Sequence, residues 1–352
     1  MKKIFISLLC LILCACGKPK DESITLTEAH KKFKKICAEE NLSMRMFPLS
    51  KTVWIYIPLK VSLFSTKSTG DEPKITNTYK NRYKVNYLES TFDKQTFSID
   101  YDIGPSRAYD INYGYGSSYS QEFYSAYQKV LQNILRAYFD IKPSEKTQIS
   151  VNLAENKIES KPINDYEKKS GAPDFFVVVI ADINGGIETQ TLFYLEDHKR
   201  TTTQSIPPDE ANKRFIMEPA GSPKIINDEK GTHLKIHEIT WPEFLSKQIK
   251  MRVQFLYQYS EFAPEQNIAL SIANTAALTF KTYNYGYYDS LILNDLKDTK
   301  QKIYTPAEIN ELKKNLKEAE TKGRYQTIKF DPKTFSPKSA DEETKTEKTD
   351  KP

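Results

Sequence analysis

Cysteine is almost missing from this chain after its first segment. Three of the four cysteines lie within the first sixteen residues, and only Cys37 follows them. A disulfide framework beyond residue 16 is therefore excluded. Cys37 follows Ala29, Phe33 and Ile36 at helical spacing, so we predict that it is a small buried hydrophobic residue and not a nucleophile.

Long apolar runs and a strong charge of either sign are also missing. After the N-terminal segment the longest apolar run covers residues 175–181, which has the length of a strand and is too short to span a bilayer. The formal net charge of +5 falls to +3 once Lys2 and Lys3 are removed, and lysines and glutamates are interspersed. Because a nucleic-acid interface needs a concentrated basic surface, we predict no nucleic-acid partner.

The short motifs that identify common enzymes do not occur. The sequence contains no G-x-S-x-G, no P-loop, no H-E-x-x-H and no dinucleotide-binding fingerprint. Catalytic groups can assemble from distant segments, so an enzyme is not excluded. We assign no catalytic residue and no cofactor, and the sequence leans toward a protein that is not an enzyme.

Two acidic stretches contain side chains that could bind calcium, but neither has the EF-hand spacing. The members are Asp100, Asp102 and Asp110 in one stretch and Asp182, Asn184 and Glu188 in the other. We interpret the first as the solvated face of a strand and the second as a hairpin turn. His233 and His237 alternate with apolar residues, which predicts a strand and places the two about 13 Å apart, too far to share a metal. No metal site is predicted.

The N-terminal segment carries the most informative local sequence. Lys2 and Lys3 give a positive flank, residues 4–15 carry no charge, and positions 13–16 read Leu-Cys-Ala-Cys. A positive flank before a short apolar run is typical of a secretory signal peptide. The last four residues resemble the lipobox of bacterial lipoproteins, with Cys16 at the position of the obligatory cysteine.

This resemblance implies a lipid anchor. In such precursors the thiol of Cys16 takes a diacylglyceryl group, the chain is cut after Ala15, and the new amino group is acylated. Two or three acyl chains hold a protein stably on a membrane. In bacterial lipoproteins, an Asp directly after the lipidated cysteine favours retention of the protein in the inner membrane. This chain has Gly17 at that position, which points to the outer membrane, facing the periplasm or the cell surface. The alternatives are an ordinary signal peptide and an uncleaved N-terminal anchor.

The alternation of hydrophobic and polar residues predicts an α+β fold. A helix followed by two strands recurs about three times, near residues 26–59, 120–195 and 264–304, so we expect helices packed on antiparallel hairpins in two subdomains. The predicted divisions are a signal peptide (1–15), a lipidated tether (16–24), an N-terminal α+β domain (25–205), a C-terminal α+β domain (206–330) and a disordered tail (331–352).

Four local patterns give specific expectations. The continuous apolar run at residues 175–180 predicts a central strand. Thr25 with Glu28 predicts the start of the first helix, and Thr-Trp-Pro-Glu at 240–243 gives the clearest helix start in the chain. A hairpin that turns around Lys230 and Gly231 is expected to end at Ile239.

Two loops are rich in tyrosine, and each contains the sequence Asn-Tyr-Gly-Tyr. Tyr113 and Tyr115 lie in the first loop, and Tyr285 and Tyr287 lie in the second. Exposed tyrosines offer rigid, amphipathic contact area, so these four residues are our candidate ligand contacts. The alternative, which we favour, is that the loop aromatics fold onto the core.

The sequence therefore predicts a lipid-anchored protein of the cell envelope that acts by binding or scaffolding. Its expected partners are the membrane, through the N-terminal lipid, and an envelope protein or peptidoglycan. The alternative is a secreted, lipid-anchored hydrolase of envelope material whose active site has no recognisable motif. A third hypothesis is a purely structural lipoprotein whose tail from Lys333 reaches toward a partner.

Substitution of Cys16 tests the predicted anchor. Cys16→Ser removes the only thiol that the lipobox chemistry can acylate, so we expect no lipid label and accumulation of unprocessed precursor. Metabolic labelling with a fatty acid and the size of the product measure both effects. Cleavage of the variant after Ala15, together with a wild-type protein that takes up no label, would contradict the lipoprotein interpretation.

Overall fold

A computed structural model describes residues 26–65, 83–105, 119–141, 167–259 and 267–315. Across these ranges the chain forms nine strands and seven α-helices. In chain order they are α1 (Glu28–Glu39), β1 (Arg45–Pro48), β2 (Thr52–Leu59), β3 (Tyr83–Asp93), β4 (Thr96–Pro105), α2 (Gln121–Tyr138), β5 (Phe175–Asp182), β6 (Ile187–Tyr194), α3 (Leu195–Thr202), α4 (Pro208–Ala211), β7 (Ile216–Gly221), α5 (Trp241–Gln254), α6 (Ile268–Thr282), β8 (Ser290–Asp295), β9 (Lys300–Tyr304) and α7 (Pro306–Asn315). None of the helices within these ranges has the length and apolarity to cross a membrane.

The first sheet has the strand order β1-β2-β5-β6-β7. Strands β2 and β5 are parallel, and the other neighbours are antiparallel. All eight residues of β5 are buried, which confirms the central strand predicted from its apolar run. The β5–β6 hairpin closes where the carboxylate of Asp182 accepts hydrogen bonds from the backbone N–H groups of Asn184 and Gly185, at 2.9 and 2.7 Å.

Helices α1 and α2 cover one face of the first sheet. Strand alternation puts every second side chain of β2 and β5 on this face, where they meet apolar residues of both helices. The buried set includes Val53, Ile55, Ile57, Phe176, Val178, Ile180, Phe33, Cys37, Val130 and Ile134. Cys37 is fully buried, as predicted, and burial raises the pKa of its thiol to about 11. Helix α1 begins at Glu28 with Thr27 as its N-cap, so the predicted start at Thr25 is wrong.

The second sheet has the strand order β3-β4-β8-β9, with β4 and β8 parallel. Phe97, Ile99 and Tyr101 point inward from β4, while Asp100 and Asp102 lie on the partly solvated face, which confirms their interpretation as the solvated face of a strand. The inner face of this sheet, helices α5 and α6, and the remaining face of the first sheet share one hydrophobic cluster. The two sheets are therefore joined through a common core.

These elements confirm the α+β fold class. The recurrence of one unit built on antiparallel hairpins is not confirmed, because each sheet also contains a parallel pair, β2–β5 in one and β4–β8 in the other. Strands from both sides of residue 205 share each sheet, and the predicted division at that point stays a prediction. The predicted signal peptide, tether and tail lie outside the described residues.

The predicted hairpin around Lys230 and Gly231 is wrong. Residues 222–240, which we call the strap, contain only a short 3₁₀ turn (Pro223–Ile225) and cross the first sheet without joining its ladder. Individual hydrogen bonds hold the strap: the Trp54 indole N–H donates to the His237 carbonyl at 2.8 Å, and the Ile239 N–H donates to the Thr52 hydroxyl at 2.9 Å. Hydrogen bonds with side chains of β2 thus hold the strap in place of the backbone ladder that a paired strand would form.

Gly231 lets the strap pass close to β2. It has a φ of 72°, and an added Cβ would lie 3.0 Å from the Tyr56 ring. At the end of the strap, the Thr240 hydroxyl accepts from the Glu243 N–H at 3.4 Å, with Pro242 in the first turn. This confirms the helix start that the sequence predicted most clearly.

The central position of β5 gives a test of the fold. Ile180→Ala removes a fully buried side chain between β5 and the helices, so we expect a loss of about 2–5 kcal/mol in the free energy of unfolding. The matched control is Ile303→Ala on β9, because Ile303 is 53% exposed and should cost no more than about 0.5 kcal/mol. Urea denaturation of both variants measures the difference. Equal losses would show that β5 is not at the centre of the core.

Candidate functional site

Residues 283–289, which we call the tyrosine loop, connect α6 to β8 and are anchored at both ends. Tyr283 is partly buried, and its hydroxyl donates to the Asp197 carboxylate at 2.7 Å. Tyr288 is buried and stacks on Phe280, with 4.7 Å between the ring centroids. These contacts fix the path of the residues between Tyr283 and Tyr288.

Between the anchors the loop presents two aromatic rings. Tyr285 is half-buried, its ring edge meets Phe97, and its hydroxyl donates to the Tyr287 carbonyl at 3.0 Å. The Lys313 ammonium donates to the Tyr285 carbonyl at 3.4 Å. Tyr287 is 82% exposed, and its ring lies 5.9 Å from that of Tyr285 at an interplanar angle of 75°. The loop therefore holds an exposed aromatic ring on a backbone that is hydrogen-bonded from two sides.

The surroundings of Tyr287 are polar. Asn284 and Asp289 are exposed in the same loop, and an added Cβ at Gly286 would meet no atom within 4 Å. The Asp289 N–H donates to the Gln95 carbonyl at 2.7 Å, which brings the β3–β4 turn beside the loop. An aromatic face with amide and carboxylate groups around it can stack on a ligand ring and hydrogen-bond to the edge of that ring.

The four tyrosines predicted as ligand contacts differ in their position. Tyr285 and Tyr287 lie side by side, but only Tyr287 faces solvent, while Tyr285 packs toward the core as the alternative interpretation expected. Tyr113 and Tyr115 lie outside the described residues, as does the lipid-attachment residue Cys16. Ligand contact by any of the four tyrosines stays a prediction.

A second group, which we call the ion cluster, consists of Arg214, Asp197, Glu210 and Arg252, all buried. The Arg214 guanidinium donates to Asp197 and, through Nε, to Glu210 at 3.0 Å. Arg252 binds Glu210 with two parallel hydrogen bonds of 2.6 and 3.1 Å. Two guanidinium groups and two carboxylates balance each other, so the cluster has no net formal charge.

The ion cluster joins elements that are far apart in sequence. Asp197 belongs to α3, Glu210 to α4 and Arg252 to α5, while Tyr283 connects the tyrosine loop to Asp197. Burial alone would raise the pKa of the Glu210 carboxyl, but Arg252 and Arg214 outweigh it and lower the pKa to about 2. Glu210 therefore stays ionised at physiological pH and acts as a fixed charge. The cluster was not predicted from the sequence, because its members are far apart and its local signal is the four-residue spacing of Glu210 and Arg214.

A third group brings His233 of the strap between two carboxylates. Its Nε2 lies 2.7 Å from Glu188 Oε2 on β6, and its Nδ1 lies 2.6 Å from Asp228 Oδ2 in the strap. The three side chains are only 5–7% exposed. Burial opposes the charged imidazole, yet hydrogen bonds and charge from Asp228 and Glu188 together raise the pKa of His233.

His237 binds elsewhere: its Nε2 lies 2.9 Å from Glu243, so the two histidines take different carboxylate partners. The acidic stretches also have their own structural partners. Asn294 donates to Asp100 at 2.5 Å, and Asp182 closes the β5–β6 turn. Within the described ranges, no group of three or more histidine, cysteine, aspartate or glutamate side chains could hold a metal ion.

Comparison with known proteins gives no match: no family model, no curated protein and no solved structure is similar to this chain. Function therefore has to be inferred from the side chains themselves. Of the three groups described above, the ion cluster and the His233 group are almost inaccessible to solvent, whereas Tyr287 faces it.

Removal of one cation tests the structural role of the ion cluster. Arg214→Met leaves Asp197 with no guanidinium partner in the interior, so we expect a loss of about 3–5 kcal/mol in the free energy of unfolding. The control is Arg136→Met, because Arg136 pairs with Glu40 at a site where both side chains are about one third exposed, and should cost less than about 1 kcal/mol. Urea denaturation separates the two outcomes, and equal small losses would contradict the assigned role.

Proposed function

We propose that this chain is a lipid-anchored protein of the cell envelope that acts by binding, with the tyrosine loop as its contact surface. The observation that carries the proposal is the 82% exposure of Tyr287 between two anchored residues, Tyr283, which is hydrogen-bonded to Asp197, and the buried Tyr288. A loop whose backbone is fixed before binding loses less conformational freedom when a ligand arrives. The hydrogen-bonded backbone of the tyrosine loop therefore supports binding better than a freely moving loop would.

The surroundings of Tyr287 favour a cell-wall glycan over a protein partner. A stable protein interface buries roughly 800 Å² on each side, around an apolar centre. Tyr287 has exposed polar neighbours, Asn284 and Asp289, and the exposed Leu296 lies beyond the far end of β8. A sugar ring has an apolar face for Tyr287 and hydroxyl groups for the polar side chains. We therefore assign the glycan strand of peptidoglycan as the ligand class.

The proposed anchor is supported by the lipobox-type sequence that ends at Cys16. Lipidation there would place the folded part outside the cytoplasm, and Gly17 favours the outer membrane as the location. Attachment through two or three acyl chains is stable, so the protein would stay at the membrane while its tyrosine loop meets the wall polymer. Cys14→Ser is the matched control for Cys16→Ser, because position 14 tolerates small residues and lipidation should continue.

The hydrolase hypothesis needs a carboxylate or imidazole that faces a cleft. Asp197 and Glu210 instead bind arginines in the interior, and both ring nitrogens of His233 are engaged by carboxylates. These groups support a structural role, and none of them favours hydrolysis. Binding therefore remains the function that we propose.

Tyr287→Ala tests the proposed contact. Loss of the ring removes its stacking face, so we expect the variant to bind purified peptidoglycan sacculi about tenfold more weakly, while Tyr287→Phe keeps most of the binding. Co-sedimentation with sacculi over a range of protein concentrations measures the affinity. The control is Tyr124→Ala on α2, a tyrosine that is 49% exposed on an element that packs on the other side of the first sheet.

A photocrosslinking residue at position 287 in intact cells identifies what the loop touches. Crosslinks to glycan support the proposal in full. Crosslinks to a protein would contradict the assigned ligand class but would still support a binding function. A wild-type protein that neither binds sacculi nor forms crosslinks at position 287 would contradict binding through this loop altogether.

A further inference from the structure

The contacts of His233 require both ring nitrogens to carry a proton. Ionised carboxylates only accept hydrogen bonds, and His233 meets one at each nitrogen, at 2.6 Å on Asp228 and 2.7 Å on Glu188. A neutral imidazole has one N–H group, so it can satisfy only one of the two carboxylates. The other nitrogen would then turn a lone pair toward a buried negative charge.

The two carboxylates differ in how firmly they are held. Asp228 accepts from the backbone N–H groups of Lys230 and His233, at 3.1 and 2.9 Å, and from the Thr232 hydroxyl at 3.1 Å. All these donors lie in the strap, so the bond between His233 Nδ1 and Asp228 survives when the strap moves. Glu188 belongs to β6, where Gln190 donates to its second oxygen at 2.8 Å. Glu188 is therefore the carboxylate that a neutral imidazole would repel.

From these contacts we propose that His233 is a proton-dependent latch, which holds the strap against β6 when the imidazole is protonated and releases that junction when it is neutral. The latch is independent of the binding function assigned to the tyrosine loop. Its release would uncover Glu188. The rest of the strap stays tied to the first sheet, because Asn227 donates to the Ile183 carbonyl, the Asp228 carbonyl accepts from the Tyr56 hydroxyl, and Ile239 donates to Thr52.

Other titratable groups near the latch are Tyr56, the pair of Glu229 and Lys60, and the second histidine of the strap. Burial raises the pKa of Tyr56, which faces the imidazole from β2 and whose hydroxyl donates to the Asp228 carbonyl at 2.6 Å. Glu229 pairs with Lys60 at 2.7 Å on the surface. His237, the second histidine of the strap, binds Trp54 through its backbone carbonyl and Glu243 through its ring. Burial opposes the charged imidazole, but hydrogen bonds with Lys235 and Glu243 raise the pKa of His237 as well. A substitution of His237 therefore separates its contribution from that of His233.

The direction of the pH effect follows from the contacts of His233. Its pKa is raised above the ordinary value of 6.5, so the latch contributes its full stabilisation below about pH 6.5 and loses it as the pH rises through the raised pKa. The pKa of Asp228 is lowered, because its hydrogen bonds with His233, Lys230 and Thr232 outweigh burial, so its ionised form persists throughout this range. The junction between the strap and β6 should open as the pH rises above the ordinary histidine range.

Hydrogen exchange of the full-length protein in detergent tests the latch. Exchange rates of peptides within residues 226–239 are measured at pH 6 and pH 9 and corrected for the intrinsic pH dependence of amide exchange. We expect protection of the strap to fall by about tenfold at pH 9, while peptides from β5 keep theirs. Equal protection of the strap at the two pH values would overturn the proposal.

Glu188→Gln distinguishes the latch from a general loss of stability. The glutamine amide can donate to the neutral Nε2 of His233, so the variant should keep its strap protected at pH 9. His237→Gln is the matched control and should retain the wild-type pH dependence. Wild-type behaviour of Glu188→Gln, or loss of the pH effect in His237→Gln, would overturn the assignment to His233.

A spectroscopic measurement covers the case in which Glu188→Gln fails to fold. Nitrogen NMR of histidine-labelled wild-type protein reports the protonation of both His233 ring nitrogens directly. We expect two N–H groups at pH 6 and one at high pH, with Nδ1 as the nitrogen that remains protonated. A neutral His233 at pH 6 would overturn the proposed latch, and this measurement needs no variant.

Discussion

The contact between the Arg214 guanidinium and Asp197 is the interaction on which the arrangement around the tyrosine loop depends. Both side chains are buried, and each is tolerated in the interior only while the other is present, because an isolated buried charge is strongly unfavourable. Asp197 also accepts the Tyr283 hydroxyl, and Arg214 shares Glu210 with Arg252. One charge pair thus links α3, α4, α5 and the loop that presents Tyr287. The loop that carries the candidate contact Tyr287 is therefore held by a buried cluster whose charges cancel only when all four members are present.

The elements that could be predicted from the sequence are those whose determinants are local. The apolar run of β5 needed no partner to be recognised as a buried strand, and Thr240 with Pro242 and Glu243 supplies the start of α5 within one turn. Asp100 and Asp102 could be placed on the solvated face of a strand for the same reason. In each case the information lies within about ten residues of sequence.

The remaining features depend on contacts between distant segments. The strap is fixed by bonds such as Ile239 to Thr52, which are 187 positions apart, so its sequence resembled a strand that it does not form. The ion cluster and the His233 group are likewise assembled from separate elements. The tyrosine loop was identified by composition alone, but composition could not separate Tyr285, which packs inward, from Tyr287, which does not.

The parallel pairing of β4 with β8 constrains the order in which the chain can fold. Thr96 pairs with Ser290, so almost two hundred residues must be present before this ladder closes. Contacts between such distant positions form late, since the entropy of closing a long loop must be overcome first. Until β8 arrives, the β3–β4 hairpin has an open edge that could pair with another chain. A chain that is made from its N-terminus exposes this edge of β4 until residues 290–295 follow.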